Sequence, residues 1–243
     1  MIRLMAVFLY MSGYLVYSIP KLQRMKKLDI RLSVSERDQL IHAIPNKWSK
    51  TIMKLTGSEV KVEGIENLPE GAVVMISNHE GDFDIPTLLA SIEKPFGFIS
   101  KVEVKKVPIL STWMEIMNCV FIDRSDRRKS VQSIRQAVKL LKEGHSIAIF
   151  PEGTRSKGGP IGEFKSGGFR LAKDANVPIV PISISGTSDV FEKNGRLVKP
   201  AVIQVRILPS VPSSIFDHKD MKEVSDYVRE IIVNSQKDEK IAS

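Results

Sequence analysis

Six short apolar runs, spaced by stretches with helical periodicity, leave this chain few ways to fold. The runs are Ala72–Ile76, Phe96–Ser100, Cys119–Ile122, Ile147–Phe150, Ile179–Ser185 and Ala201–Ile207. Each is short and rich in Val, Ile or Phe, the signature of a buried strand rather than a helix. Helical patterns at Ile85–Ile92, Ser130–Lys142 and Lys219–Asn234 lie between or after them. Uninterrupted apolar strands need cover on both faces, and strands alternating with helices are joined by crossovers. The predicted fold is therefore an α/β domain, a mostly parallel or mixed sheet flanked by helices. No repeat or low-complexity segment interrupts it. Lys157–Gly162 is a glycine-rich loop, and the polar tail after Asn234 is expected to fray.

In an open α/β sheet, the loops leaving the carboxyl ends of the strands gather where ligands bind. Two of these loops carry chemistry. After Ala72–Ile76 comes Asn-His-Glu-Gly-Asp-Phe-Asp, Asn78 to Asp84. On one continuous helix His79 and Asp84 would project roughly 140° apart, because each residue advances about 100°. His79 is therefore expected in the turn before the helix and Asp84 in its first turn. From there Asp84 can accept the Nδ1 proton of His79 and leave Nε2 as a free base. Alternatively, Asp82 and Asp84 merely cap a helix.

After Ile147–Phe150 the chain reads Phe-Pro-Glu-Gly-Thr-Arg-Ser, Phe150 to Ser156. Pro151 and Gly153 turn it sharply. Gly153 lets a ligand approach the backbone, and the planar guanidinium of Arg155 suits phosphate oxygens. The plainer account of Glu152 and Arg155 is an ion pair with each other.

Four blocks in order now carry a resemblance. They are Asn78–Asp84, Val120–Arg124 (Val-Phe-Ile-Asp-Arg), Phe150–Ser156 and Val177–Pro181 (Val-Pro-Ile-Val-Pro), with Phe164-Lys165-Ser166-Gly167 between the last two. The chain resembles the glycerolipid acyltransferase family typified by 1-acylglycerol-3-phosphate O-acyltransferase, also called lysophosphatidate acyltransferase. The resemblance implies transfer of an acyl group from an acyl thioester, on coenzyme A or acyl carrier protein, to the sn-2 hydroxyl of lysophosphatidate, giving phosphatidic acid. It implies His79 as general base and Asp84 as its orienting partner. It also implies that Arg124, Glu152, Gly153, Thr154 and Arg155 form the acceptor site, with Lys101 and Lys105 as further candidate phosphate ligands. Two departures from the family pattern stand out: Asn118 in place of a glycine, and Leu110-Ser111 where the preceding helix usually ends on a proline-to-glycine step. Other acceptors, glycerol-3-phosphate or a lyso-aminolipid, would use the same base. A non-catalytic lipid binder is the alternative of another class, although it would need no base.

The remaining residues narrow the chemistry. His42, His145 and His218 read as structural or solvated. Cys119, the single cysteine, lies in an apolar strand pattern and reads as a buried inert thiol. One cysteine cannot form an intramolecular disulfide and suits a reducing compartment. Ser77 lacks the Gly-x-Ser-x-Gly elbow of a nucleophile. Asp82 and Asp84 lack further oxygen ligands and no zinc spacing occurs, so no metal and no permanently bound cofactor is predicted. The 36 Lys and Arg against 28 Asp and Glu give +8 and favour anionic partners. Nucleic acid is excluded as a partner because the basic runs lack interleaved aromatics or a known module.

The N-terminus points to a phospholipid membrane. Leu4–Ile19 is almost wholly apolar or aromatic, closed by Pro20 and followed by Lys21, Arg24, Lys26, Lys27 and Arg31. Its 16 residues fall short of the roughly 20 needed to cross upright. The basic flank would hold it on the cytoplasmic side of the cell membrane. Ser35–Thr56 is a second helical pattern, with Ser35 as possible N-cap and Pro45 as a break or kink; it could also be an ordinary core helix. Residues 1–58 are read as a two-helix membrane-binding appendage and 59–243 as the α/β domain.

Overall fold

The structure is a computed structural model describing residues 1–29 and 31–242, the side chains of 238–242 excepted. Seven strands, β1 (Glu59–Glu63), β2 (Val74–Ser77), β3 (Gly97–Lys101), β4 (Val120–Ile122), β5 (Ile147–Ile149), β6 (Ile179–Ser185) and β7 (Val202–Ile207), form one sheet. Their order is β1-β7-β6-β2-β5-β3-β4. β6, β2, β5, β3 and β4 run parallel, and β7 pairs antiparallel to β6 before continuing in parallel with β1. The mixed α/β sheet expected from the alternating pattern is what forms. β1 escaped that pattern because Glu-Val-Lys-Val-Glu is charged at every other position; it is an edge strand with one face in water.

Among the described residues eight α-helices accompany the sheet: α1 (Ile2–Tyr17), α2 (Ile19–Met25), α3 (Val34–Thr56), α4 (Asp84–Ser91), α5 (Leu110–Ile116), α6 (Arg127–Lys142), α7 (Arg170–Ala175) and α8 (Met221–Ala242). The two-residue strand period divides the core into two layers. Met75, Ile182, Ile184 and Val205 join Ile41, Ile52, Met53 and Leu88 of α3 and α4 on one face. Val74, Ile76, Ile147 and Ile179 join Ala137, Leu171, Val224 and Val228 of α6, α7 and α8 on the other.

Three expectations about helices are adjusted. α3 is continuous through the buried Pro45 and belongs to the core rather than lying free. Its N-cap is Ser33, not Ser35, because Ser33 and Glu36 exchange backbone bonds as a capping box. Past Asn234 the chain is helical: α8 runs on to Ala242, with Gln236 donating to Ile184 O at 2.9 Å and Ser235 O accepting from Arg206 at 2.6 Å.

α1 and α2 meet at a 49° bend. The buried Ser18 sits at that bend, donating to Leu15 O at 2.7 Å and accepting from Trp113 Nε1 of α5 at 2.8 Å. No single described helix is long and apolar enough to cross a membrane. α1 buries only Val7, while Ile2, Met5, Phe8, Leu9 and Val16 face outward.

Candidate active site

The carboxyl ends of β2, β3, β4, β5 and β6 all open on one edge of the sheet, and the chain delivers a polar loop from each. His79 follows β2 in the turn before α4, and Asp84 begins α4. His79 Nδ1 lies 2.6 Å from Asp84 Oδ2. A carboxylate only accepts, so Nδ1 carries the proton of this bond, and in the neutral imidazole Nε2 then holds the free lone pair. Asp84 is fully buried, whereas the His79 side chain keeps 18% of its surface open. The backbone N–H groups of Glu80 and Gly81 also donate to Asp84 Oδ2, at 2.6 and 3.0 Å. Its other oxygen accepts a short hydrogen bond from Thr187 Oγ1.

Phe150, the residue after β5, stacks on the His79 ring with centroids 4.1 Å apart and planes at 17°. Glu152 is buried and spans two loops: Oε1 accepts from His79 N at 2.7 Å and Oε2 from Gly162 N at 2.8 Å. Its charge therefore fixes backbone, not Arg155. The two motif loops lie side by side, Ser156 N donating to His79 O at 2.8 Å and Lys157 N to Glu80 O at 2.9 Å. Arg155 Nη1 instead contacts Asp82 and lies 3.6 Å from Glu192 Oε1. Burial raises the Glu192 carboxyl above its ordinary value, and its Oε2 has no partner. Glu192 packs where any side chain at Gly81 would collide, a Cβ there falling 2.6 Å from Oε2.

The other expected residues are distributed along this edge. Arg124, just beyond β4, donates to Gly153 O at 2.8 Å. Gly153 adopts φ +71°, which suits glycine, and Thr154 beside it is exposed. Lys101 ends β3 and is exposed. Lys105 is drawn aside, 3.9 Å from Glu115 and 4.9 Å from the Phe121 ring centroid. Thr187, Ser188 and Glu192 entered no sequence reading. Their signal was available, since Gly-Thr-Ser directly follows the strand β6 just as the two recognised motifs follow β2 and β5.

Several remaining polar residues lie at the opposite edge. His145 precedes β5 and sits 2.5 Å from Asp38 of α3, with Asn118 3.0 Å away. His42 is buried and binds Ile92 O at 3.0 Å, and burial lowers its pKa. Cys119 is also buried, its thiol pushed up to about 12, and it accepts from Phe98 N. Asn118 takes φ +60°, a conformation open to Gly and tolerated by Asn, which explains how it replaces the family glycine. Leu110-Ser111 opens α5 instead of closing a helix, after a γ-turn in which Leu110 N donates to Pro108 O and Ile109 has φ +65°.

A strand-end His–Asp pair beside a Pro-Glu-Gly-Thr-Arg turn agrees with a match to the Acyltransferase family model over residues 59–185, just over half of the 243 residues. The chain belongs to this acyltransferase family. It is 40% identical over 157 residues to a chloroplastic 1-acyl-sn-glycerol-3-phosphate acyltransferase of Arabidopsis thaliana, covering 64% of this chain and 44% of that one. It is 36% identical over 152 residues to a probable 1-acyl-sn-glycerol-3-phosphate acyltransferase of Mycoplasma pneumoniae, covering 61% of this chain and 57% of the relative. The chain thus spans about half the length of these curated relatives. Among solved structures, the 1-acyl-sn-glycerophosphate (LPA) acyltransferase PlsC of Thermotoga maritima superposes with TM-score 0.86 at 26% identity, over 98% of this acyltransferase and 95% of that chain.

Proposed function

We propose that this acyltransferase moves a fatty acyl group from acyl-CoA or acyl carrier protein to the sn-2 hydroxyl of 1-acylglycerol-3-phosphate, producing phosphatidic acid. The observation that carries the reading is the oriented His79–Asp84 pair, with Nε2 left free at a partly open strand end. Support for the substrate class comes from the names of the relatives.

In this mechanism His79 Nε2 removes the hydroxyl proton as the oxygen attacks the thioester carbonyl. The tetrahedral intermediate then collapses, expelling the thiolate, which takes up the proton from the imidazolium. Asp84 stabilises that imidazolium and holds the ring in place, and such general-base catalysis contributes about 10² to 10⁴ in rate. No acyl-enzyme is needed. Arg124, Gly153, Thr154 and Arg155, with Lys101 and Lys105 at the rim, form the acceptor site, while Glu152 shapes it by fixing the His79 turn. No permanently bound cofactor takes part in this scheme.

Residues 1–58 serve as the membrane-associating segment and 59–243 as the catalytic domain, with α3 as the docked part of the former. The outward apolar face of α1 enters one leaflet of the cell membrane from the cytoplasmic side, where Lys21, Arg24, Lys26, Lys27 and Arg31 meet anionic headgroups.

The test is acyl transfer by the full chain in lipid or detergent, with lysophosphatidate and glycerol-3-phosphate as parallel acceptors and His79→Ala as control. Transfer to lysophosphatidate that disappears in the variant is the expected result. Undiminished transfer by a folded His79→Ala protein would remove His79 as base, and no transfer to lysophosphatidate by the parent protein would remove the substrate assignment.

A further inference from the structure

We infer that Glu192, on the loop between β6 and β7, is a positioning residue for acyl transfer: it clasps the turn that carries His79 and sets where Arg155 stands. This rests on the acyl-transfer reading above and adds to it a residue from a loop that neither motif contains.

The loop after β6 meets every residue from Glu80 to Asp84. Ser188 N donates to Glu80 Oε2 at 3.0 Å, Thr187 Oγ1 donates to Asp84, and Phe191 sets its ring edge-on to Phe83 with centroids 6.1 Å apart. Glu192 completes the set, its Oε1 accepting from Asp82 N at 2.6 Å. The whole carboxylate packs on Gly81: a Cβ built there would fall 2.6 Å from Oε2, 2.9 Å from Cδ and 3.0 Å from Oε1. Gly81 is not among the glycines with positive φ, so its backbone does not demand glycine. Room for Glu192 does.

A carboxylate is a costly group for this position. The Glu192 side chain keeps only 8% of its surface, and among the described residues its Oε2 has no hydrogen-bond partner. Burial of that kind opposes folding, so stability does not account for the residue. Its reach between two loops does. While Oε1 holds Asp82 N, it also lies 3.6 Å from Arg155 Nη1, and Asp82 contacts the same guanidinium. One oxygen thus links the turn after β2 to the turn after β5. Gly81 and Asp82 lie between His79 and Asp84, so holding them fixes the segment that aims Nε2 at the acceptor hydroxyl. A misplacement of about 1 Å at such a centre can cost roughly a hundredfold in rate.

The experiment compares parent, Glu192→Ala, Glu192→Gln, Gly81→Ala and the double variant Gly81→Ala with Glu192→Ala, as full chains in detergent with lysophosphatidate as acceptor. Glu192→Ala is expected to lower kcat roughly tenfold and raise the acceptor KM roughly threefold, with the thioester KM and the thermal midpoint little changed. Glu192→Gln keeps an acceptor for Asp82 N but no charge beside Arg155, so it should restore kcat and leave the acceptor KM raised. Gly81→Ala should lower kcat roughly tenfold in the parent and by no more than about twofold once residue 192 is alanine, because the collision is then gone. A merely structural glutamate would lower the thermal midpoint and leave the kinetics of folded molecules alone. That result, a glutamine variant as slow as the alanine one, or an equal Gly81→Ala effect in both backgrounds overturns the clasp. Hydrogen exchange supplies an arm independent of catalysis, the Glu80, Gly81 and Asp82 amides exchanging faster in Glu192→Ala. Faster exchange there, in a parent that transfers nothing, would retain the clasp and discard the proposed reaction. Transfer in the parent, with kcat and exchange indifferent to Glu192, would do the reverse.

Discussion

Asp84 receives four donors at once: His79 Nδ1, the N–H groups of Glu80 and Gly81, and Thr187 Oγ1. Three of them are near neighbours in sequence, which is why the H-x4-D spacing alone foretold the pairing of His79 with Asp84. Thr187 stands 103 residues away and becomes a partner only because β6 lies beside β2. Its removal leaves a buried carboxylate oxygen without that donor. Thr187→Val is expected to cost about 1–3 kcal/mol of stability. It should also lower kcat by roughly tenfold through looser holding of His79, with the acceptor KM little changed. Urea unfolding and steady-state kinetics on the same preparation check both, and a kcat equal to that of the parent would show that Asp84 needs no outside support. Arg155 teaches the converse lesson. Its residue type suggested an anion ligand, but the neighbours that position it, Asp82 and, from a loop far along the chain, Glu192, could not be read from its motif.

At the scale of elements, local signals served where a segment declares its own surroundings. β6 was read with the same bounds it adopts, because its apolar run is buried throughout all but its last residue. β1 was missed because an edge strand with charged alternate residues looks like any solvated segment. α3 shows a subtler limit: its amphipathic stripe was legible, but whether lipid or protein would cover it was decided by α4 and the sheet. α1 presents the same question with a different outcome, since Phe8 and Leu9 remain 66% and 65% exposed. Replacing Met5, Phe8 and Leu9 together by serine should weaken binding to anionic vesicles by at least about a hundredfold, since each such side chain contributes about 1.5–3 kcal/mol when fully buried. Flotation with liposomes measures this. Unaltered binding would place the membrane contact on another element.

Across the whole molecule two His–Asp pairs of nearly equal length sit at opposite edges of one sheet, His79 with Asp84 and His145 with Asp38. The second ties α3 to the segment entering β5, so its loss should be felt as stability rather than rate. His145→Ala is expected to lower stability by about 1–3 kcal/mol while leaving kcat per folded molecule intact, whereas His79→Ala should do the opposite. Chemical unfolding joined to active-site titration distinguishes them, and a lost kcat in folded His145→Ala would mean that the two edges communicate. By itself the sequence determined the α/β class, the pairing of His79 with Asp84, and the family, because strand periodicity, a five-residue spacing and short motifs in order are local properties that survive without coordinates. Only the tertiary structure decided that Thr187 holds Asp84, that Asp82 meets Arg155, and that Glu192 packs on Gly81. Those contacts join loops leaving strands that are neighbours in the sheet but distant along the chain, and strand order is fixed by packing both sheet faces rather than by any local pattern.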